Sequence, residues 1–407
     1  MYPRQRRRAL TLIAVASVLA SALVGCSSTN TSSSSTPIKI GMSLPLSGAV
    51  ADVSKSGYDG YKEWADEVNA SGGLLGRQVK LDVLDDGFDT NANVANYNRL
   101  ISQDKVDLLL GTFSSLLNAP ASAVAARQHM LYIEPSGGNP ALFTRGFTNL
   151  FFAQPAAGNH LPDQFVAYIK SLPAKSRPKT AAYLQQDDPS VAAPLAIFQK
   201  DFEALGIKTV YSTTYSPSQS AFDNIASTVV AAKPEMIIQG AVTGDGVQFV
   251  RSLQKLQYTP KILFQTQSPS DTAYPAAIGG AKNTQAIFTA DGWSSKAAYP
   301  GNAQFVKAYT KRFGSLPTED AANSYTAGQV LAEAVKQVGS LNQAKLISWL
   351  HSHTVQTIVG PLKWDKTGVP EGSLLLSQWQ NGSLQIVAPE SASTSSKIIA
   401  SKPKWQG

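Results

Sequence analysis

Thr112, Ser114 and Ser115 lie in a turn between Leu108-Leu109-Leu110, which ends at Gly111, and a helical run over Ala121 to Gln128 that Pro120 opens. Three consecutive leucines closed by a glycine read as a buried parallel strand, and a proline in the first turn is a common helix start. A strand end that runs into a helix start exposes backbone N–H groups and the positive end of the helix dipole. Hydroxyls placed there make a seat for a small anion such as a carboxylate. The same residues, Ser114 and Ser115 with Asn118, are as well suited to capping the helix and nothing more.

Other residue types capable of chemistry are poorly placed for it. The chain has 4 histidines, and His351 and His353 are spaced so that they do not share a helical face, so no metal site is expected. Asp85-Asp86 and Asp187-Asp188 are adjacent acids that point apart on a strand or loop, and they read as solvated turns rather than an acid–base pair. Gly72-Gly73 with Gly76 follows a helix instead of joining a strand to one, which suits a helix stop and not phosphate binding. The chain has no Gly-x-Ser-x-Gly nucleophile turn. Neither an enzyme nor a cofactor is expected.

The elements that must position the turn alternate strictly. Ile38 to Ser43 reads as a strand, Gly57 to Asn69 as a helix with Tyr58, Tyr61, Trp64, Ala65 and Val68 on one face, and Val79 to Leu84 as a strand. A helix at Asn93 to Ser102, the Leu108 strand, the Ala121 helix and a strand at Leu131 to Ile133 follow. Such alternation predicts a parallel sheet with helices on both faces, whose sites lie at the carboxyl ends of strands: Leu44 to Asp52, Gly111 to Ser115 and Glu134 to Asn139. After a break at Phe151 to Pro162 the pattern restarts. Strands at Thr180 to Gln185, Val210 to Tyr215, Met236 to Gly240 and Ile262 to Gln265 alternate with helices at Ala192 to Leu205, Ala221 to Ala232 and Gly246 to Leu256. Ile287 to Thr289 is a further strand, followed by helices at Ala303 to Phe313, Asn323 to Val338 and Asn342 to Ser352, then by strands at Leu374 to Trp379 and Leu384 to Val387. The fold class is α/β, two doubly wound lobes in tandem with a cleft where strand-end loops face each other. Tyr325 is expected in the core; Trp293 suits either the core or the cleft mouth.

The first 25 residues read as a leader. Arg4, Arg6, Arg7 and Arg8 precede an apolar run, Ala9 to Val24, that is short for a membrane span, and Leu23-Val24-Gly25-Cys26 has the form of a lipoprotein cleavage box. Cys26 is the only cysteine, which excludes disulfides and cysteine catalysis and marks it as the lipidation site. Ser27 to Thr36 is a polar tether. The net charge of +7 is mostly the leader's: without it 31 basic residues face 28 acidic ones, about +3, and no nucleic-acid partner is implied.

Five stretches in order carry a family resemblance: Leu46-Ser47-Gly48; Val68-Asn69-Ala70-Ser71-Gly72-Gly73 with Gly76; Asp85-Asp86; Gly111 to Pro120; and Gly360-Pro361-Leu362-Lys363-Trp364-Asp365. Together they resemble the branched-chain amino-acid-binding (Leu/Ile/Val-binding) type of solute-binding protein, the extracytoplasmic receptor of an ABC importer. The resemblance implies the periplasmic-binding-protein type I fold, with crossovers near Gln154 to Gly158, Thr289 to Gly292 and Trp364 to Val369, and closure of the lobes around a small molecule. It divides the chain into a leader (1–25), a tether (26–37), a first lobe (38–156 with 291–365), a second lobe (157–290 with 366–392) and a tail (393–407).

In that family the carboxylate of an α-amino acid is held by a serine and backbone N–H groups, which falls on Phe113 and Ser115 here, beside Ser114. A second hydroxyl falls on Gly138 in Ser136-Gly137-Gly138-Asn139. Wall positions fall on Val53, Ser190 and Val242. The acid that pairs with the ammonium falls on or next to Gln267, a neutral amide. An unpaired ammonium in a closed cleft costs several kcal/mol, on the order of the whole binding energy of a weak ligand. A carboxylate-bearing or neutral molecule therefore fits better than a branched-chain amino acid, unless Asp187, Asp188, Asp245, Asp291 or Asp320 reaches in. The expectation is a monomeric, lipid-anchored solute-binding protein that hands a small molecule to an ABC permease. A sensor of the same fold acting on a signalling receptor, and more remotely an extracytoplasmic hydrolase, are the alternatives.

Overall fold

The computed structural model describes residues 36–406, apart from 49, 217, 242, 243 and 272 and the side chains of 189 and 190. Residues Thr36–Gly407 form one compact unit. The leader, Cys26 and most of the tether lie outside the described residues. Among those described, no helix is long and apolar enough to cross a membrane.

The chain opens with β1 (Ile38–Leu44), α1 (Ala51–Ala70), β2 (Val79–Asp85), α2 (Thr90–Ser102), β3 (Leu108–Leu110), α3 (Ser114–Arg127), β4 (Tyr132–Glu134) and β5 (Leu150–Phe152). These strands form a sheet in the order β2-β1-β3-β4-β5, every neighbour parallel. Next come α4 (Asp163–Ser171), β6 (Thr180–Gln186), α5 (Pro189–Ala204), β7 (Lys208–Tyr215), α6 (Asp223–Ala232), β8 (Met236–Gly240), α7 (Gly244–Lys255) and β9 (Ile262–Gln265). Two short helices, α8 (Tyr274–Ala277) and α9 (Ala281–Thr284), lead to β10 (Ile287–Asp291). Helices α10 (Asn302–Phe313), α11 (Glu319–Val338) and α12 (Gln343–Leu350) follow, then a hairpin of β11 (Val355–Thr357) and β12 (Gly360–Leu362), and finally β13 (Leu375–Gln380) and β14 (Ser383–Ala388). The second sheet runs β14-β13-β10-β9-β8-β6-β7 and is parallel from β10 to β7, with β13 and β14 antiparallel at its edge.

Helices α10 to α12 return to the first sheet. Phe305, Tyr325, Val330 and Leu346 share one buried cluster with Ile38, Met42, Leu108 and Ile133, and Trp293 is in that cluster too, 7% exposed, with its indole donating to Asn302 at 2.8 Å. Helices α1 and α11 approach closely because glycine stands at the contact. A Cβ on Gly60 would lie 2.0 Å from the Ala321 carbonyl oxygen. The second sheet is covered on both faces, by Phe165, Phe198, Phe202 and Phe264 on one side and by Phe222, Phe249 and Trp379 on the other. Each such ring contributes about 1.5–3 kcal/mol by leaving water. Residues after β14 are tied to this lobe: Lys402 N–H donates to Lys261 at 2.9 Å and the Trp405 indole to Tyr258 at 2.7 Å.

Besides β5 and α4, which the sequence reading lacks, four features differ from it. Helix α3 begins at Ser114, and Pro120 lies inside it; the N–H that proline lacks would have gone to Leu116, an exposed residue of the first turn, where losing one bond is tolerated. Helices α1 and α11 start earlier, at Ala51 and Glu319, and α11 is capped by the Thr318 hydroxyl, which accepts from Ala321 N–H at 3.2 Å. Asp86 is no solvated turn residue: it is 3% exposed and accepts from the Ser43 hydroxyl at 2.7 Å and the Asn93 amide at 2.9 Å. Residues 364–370 stay against β5, where Phe152 N–H donates to Gly368 at 3.1 Å and the Trp364 indole to Phe152 at 2.7 Å. The last crossing between sheets thus comes between Pro370 and β13, later than the resemblance implies.

Candidate functional site

At the carboxyl end of β3 a Cβ on Gly111 would lie 2.5 Å from the Glu134 Cα, so only glycine lets the ends of β3 and β4 approach. Asn118 closes the turn that follows. Its amide donates to the carbonyls of Thr112 (2.9 Å) and Ser114 (3.0 Å) and to Glu134 (3.0 Å), while its oxygen accepts from Thr112 N–H (3.1 Å) and the Tyr132 hydroxyl (2.8 Å). Glu134 also accepts from Ser136 N–H at 2.9 Å. Burial pushes its carboxyl up to about 8, so at neutral pH the group is mostly a proton-bearing acid that braces two strand-end loops.

Ser114 results from this bracing. Its φ of +67° places a non-glycine residue in the left-handed region, and its hydroxyl is buried with no hydrogen-bond partner among the described residues. Backbone strain of this kind costs about 1–3 kcal/mol and persists only where the surroundings impose it. Ser115 differs: its hydroxyl accepts from Asn139 N–H at 3.2 Å and ties α3 to the loop after β4.

A cavity of 570 Å³ lies between the strand-end loops of the two sheets. Val53, Phe113, Ser114, Ser136 and Gly138 form its first-lobe wall. Gln267, Ser270 and Leu374 form its second-lobe wall, and Gln154 and Gly292 line it where the chain crosses. Its remaining polar lining is acidic: Asp291 at the end of β10, and Glu319 and Asp320 in the first turn of α11, with Asn323 one turn on. Gly292 N–H donates to Glu319 at 3.2 Å. Burial, reinforced by the neighbouring charges of Asp291 and Asp320, pushes the Glu319 carboxyl up to about 8. Burial raises Asp320 to about 6 and shifts Asp291 upward as well.

Of the residues picked out from sequence, Val53, Phe113, Ser114, Ser136, Gly138 and Gln267 thus line one cavity, together with Asp291 and Asp320 from the loop aspartates. Ser115, Gly137 and Asn139 do not line it; they support the loops that do. Asp245 is also not part of the lining and accepts instead from the Tyr215 hydroxyl at 2.6 Å. The side chain of Ser190 and the whole of Val242 lie outside the described residues. Glu319 and Asn323 were not foreseen, although Thr318-Glu319-Asp320 ahead of an apolar run is a helix-start signal that would have placed them at the cleft. No cluster of metal-ligating side chains occurs among the described residues. A larger hollow, 640 Å³, is lined by His129, Phe147 and His351 ahead of β5 and at the end of α12, where no strand carboxyl end opens.

Residues 37–383 match the family model described as periplasmic binding protein. The chain is 26% identical over 334 residues to an amino acid binding protein of Pseudomonas aeruginosa, covering 81% of this chain and 87% of that one. Among solved structures it is similar to a putative branched-chain amino acid ABC transporter protein from Rhodospirillum rubrum, with a TM-score of 0.75 at 20% identity over 86% of this chain and 99% of the other. It is also similar to an ABC transporter solute binding protein from R. palustris in complex with benzoate, with a TM-score of 0.69 at 20% identity over 90% and 100%. This is a family of binding proteins and not of enzymes, so the hydrolase alternative falls. Two α/β lobes with a cavity between their strand ends, and a family match over most of the length, agree: the chain belongs to the periplasmic binding protein family, of the type I fold.

Proposed function

We propose that this protein is the lipid-anchored, extracytoplasmic capture component of an ABC importer. Anchored through Cys26, it takes a small organic molecule, amino-acid-like or carboxylate-bearing, into the cleft between its lobes and delivers it to the membrane permease as a monomer. The observation that carries this reading is the 570 Å³ cavity walled by strand-end loops of both sheets, large enough for a molecule of amino-acid size and lined by Ser114, whose hydroxyl has no partner among the described residues. A ligand that bridges the two walls favours their approach and so marks the loaded state for a permease. The relative named for amino-acid binding and the neighbour holding benzoate bracket the chemistry from which the ligand is drawn. The test is a thermal-shift screen of the Thr36–Gly407 unit against amino acids, amines, amides, and aliphatic and aromatic acids. A ligand that binds only the folded protein raises the melting temperature by mass action. At least one class is expected to do so, and a panel without any hit would remove the capture role.

A further inference from the structure

The cleft does not balance its donors and acceptors. Three carboxyl groups, Asp291, Glu319 and Asp320, line the cavity, and no Lys, Arg or His does so among the described residues. Placement at a helix start accounts for two of them, since Glu319 and Asp320 in the first turn of α11 complement its dipole. It does not account for Asp291, which ends a strand. One Asp291 oxygen takes the Ser270 hydroxyl; the carboxyl is also faced by the buried Ser377 hydroxyl, but Oδ2 makes no hydrogen bond of good geometry among the described residues, in a side chain 7% exposed. Asn323, 2% exposed, has its Oδ1 in the same condition, and its amide faces Glu319. Two buried acceptors that make no hydrogen bond among the described residues, on side chains of one cavity wall and beside two further carboxyls, call for a group with N–H donors and a positive charge. A primary ammonium has three donors and no acceptor.

Resting on the capture role proposed above, we infer that the ligand is a primary amine of net positive charge, whose ammonium binds Asp291 Oδ2 and Asn323 Oδ1 and whose acceptor end meets Ser114 across the cavity. The counter-charge absent at Gln267 in the second lobe is supplied from the end of β10 and the start of α11 instead. A net-negative ligand would bring a like charge to Asp320, whose carboxyl, raised to about 6, is ionised at pH 7.5, and lose by it, although Glu319, raised to about 8, mostly holds its proton there. Amino-acid amides and diamines match the site; amine-free acids such as benzoate do not.

The test is titration calorimetry and thermal shift of the Thr36–Gly407 unit at pH 7.5 with leucinamide, 1,4-diaminobutane, leucine and benzoate. The cationic amines are expected to bind at least tenfold more tightly than leucine, and benzoate not to bind. Asp291→Asn, equal in size and uncharged, is expected to weaken amine binding at least tenfold, and Asn323→Asp to strengthen it. Binding of benzoate in preference to the amines overturns the inference and leaves the capture role standing. An unchanged dissociation constant in Asp291→Asn overturns it as well. If Asp291→Asn fails to fold, Asn323→Asp decides alone, and equal or weaker amine binding there overturns the inference. Silence toward every compound, acids included, removes the capture role along with it.

Discussion

The Asn118 amide lies 3.0 Å from Glu134 Oε2, and both side chains are fully buried. Through this pair the turn after β3 and the loop after β4 are tied together, since Asn118 holds the backbone N–H and carbonyl of Thr112 while Glu134 holds Ser136 N–H. Removing the amide leaves several buried groups unpaired at once. Asn118→Ala is therefore expected to destabilise the protein by about 2–4 kcal/mol, one to three unsatisfied groups at about 1–3 kcal/mol each less relaxation and water entry. Urea denaturation of the Thr36–Gly407 unit reads this directly, and a loss under about 0.5 kcal/mol would show that the network does not hold the turn.

Glu134 also carries a pH dependence whose sign follows from its environment. Its folded value, about 8, lies above the ordinary 4.5 of an unfolded glutamate. The folded state therefore holds the proton over an interval in which the unfolded state has released it. The stability it contributes is present below about 4.5 and is lost as pH rises toward 8. Glu319 has the same sign over a similar interval, and Asp320 over a narrower one ending near 6. Glu134→Gln keeps an acceptor for Asn118 and Ser136 without the ionisation. Its melting temperature is expected to fall less steeply between pH 5 and 8 than that of the unsubstituted protein. Parallel curves would mean that folding does not raise the Glu134 carboxyl above its unfolded value.

Alternation of apolar runs with helical patterns was enough to read one parallel sheet, the parallel part of a second whose edge strands β13 and β14 are antiparallel, and the strand-end loops that line the cavity. Periodicity needs length to speak, and it failed where length was short. Leu150-Phe151-Phe152 forms β5 in three residues, too few to separate from the irregular stretch after it. The resemblance puts Ser115 ahead of Ser114, and what separates them is a backbone angle that sequence does not show: Ser114 turns left-handed and lines the cavity, while Ser115 bonds Asn139. The acidic wall was half legible. Asp291 and Asp320 stood among several loop aspartates, and only the fold of α10 to α12 back onto the first lobe selects them.

The anchor proposed above would rest on Cys26 and the leader before it. A diacylglyceryl thioether joined by an acyl chain on the new N-terminus provides more than the two signals that stable membrane attachment needs, each buried methylene adding about 0.8 kcal/mol. Cys26→Ser removes the thiol and with it every chain. The expected outcome is that the substituted full chain, expressed in a bacterial host, moves from the membrane pellet to the soluble extracytoplasmic fraction or keeps its leader uncleaved, with no acyl mass in either case. A lipid-modified Cys26→Ser protein would contradict this origin of the anchor.

Ser114 combines a strained backbone with a hydroxyl that has no partner among the described residues, and the two should separate on substitution. Glycine adopts φ of +67° without the steric penalty of a side chain, which for other residues costs about 1–2 kcal/mol, and it leaves no orphaned hydroxyl behind. Against this stands the extra freedom that glycine brings to the unfolded chain, about 0.5–1 kcal/mol. The balance for Ser114→Gly is a protein as stable as the parent or more so by up to about 1 kcal/mol. Binding should move the other way. With the hydroxyl gone, an acceptor on the ligand loses its partner, and affinity is expected to fall five- to a hundredfold, about 1–3 kcal/mol. Ser114→Ala separates the causes, because it deletes the hydroxyl but keeps the strain and so should match the glycine variant in affinity but not in stability. Chemical denaturation beside titration calorimetry on the three proteins reads both quantities. A Ser114→Gly protein that lost stability and kept its affinity would mean that this residue is held left-handed for the fold and not for the ligand.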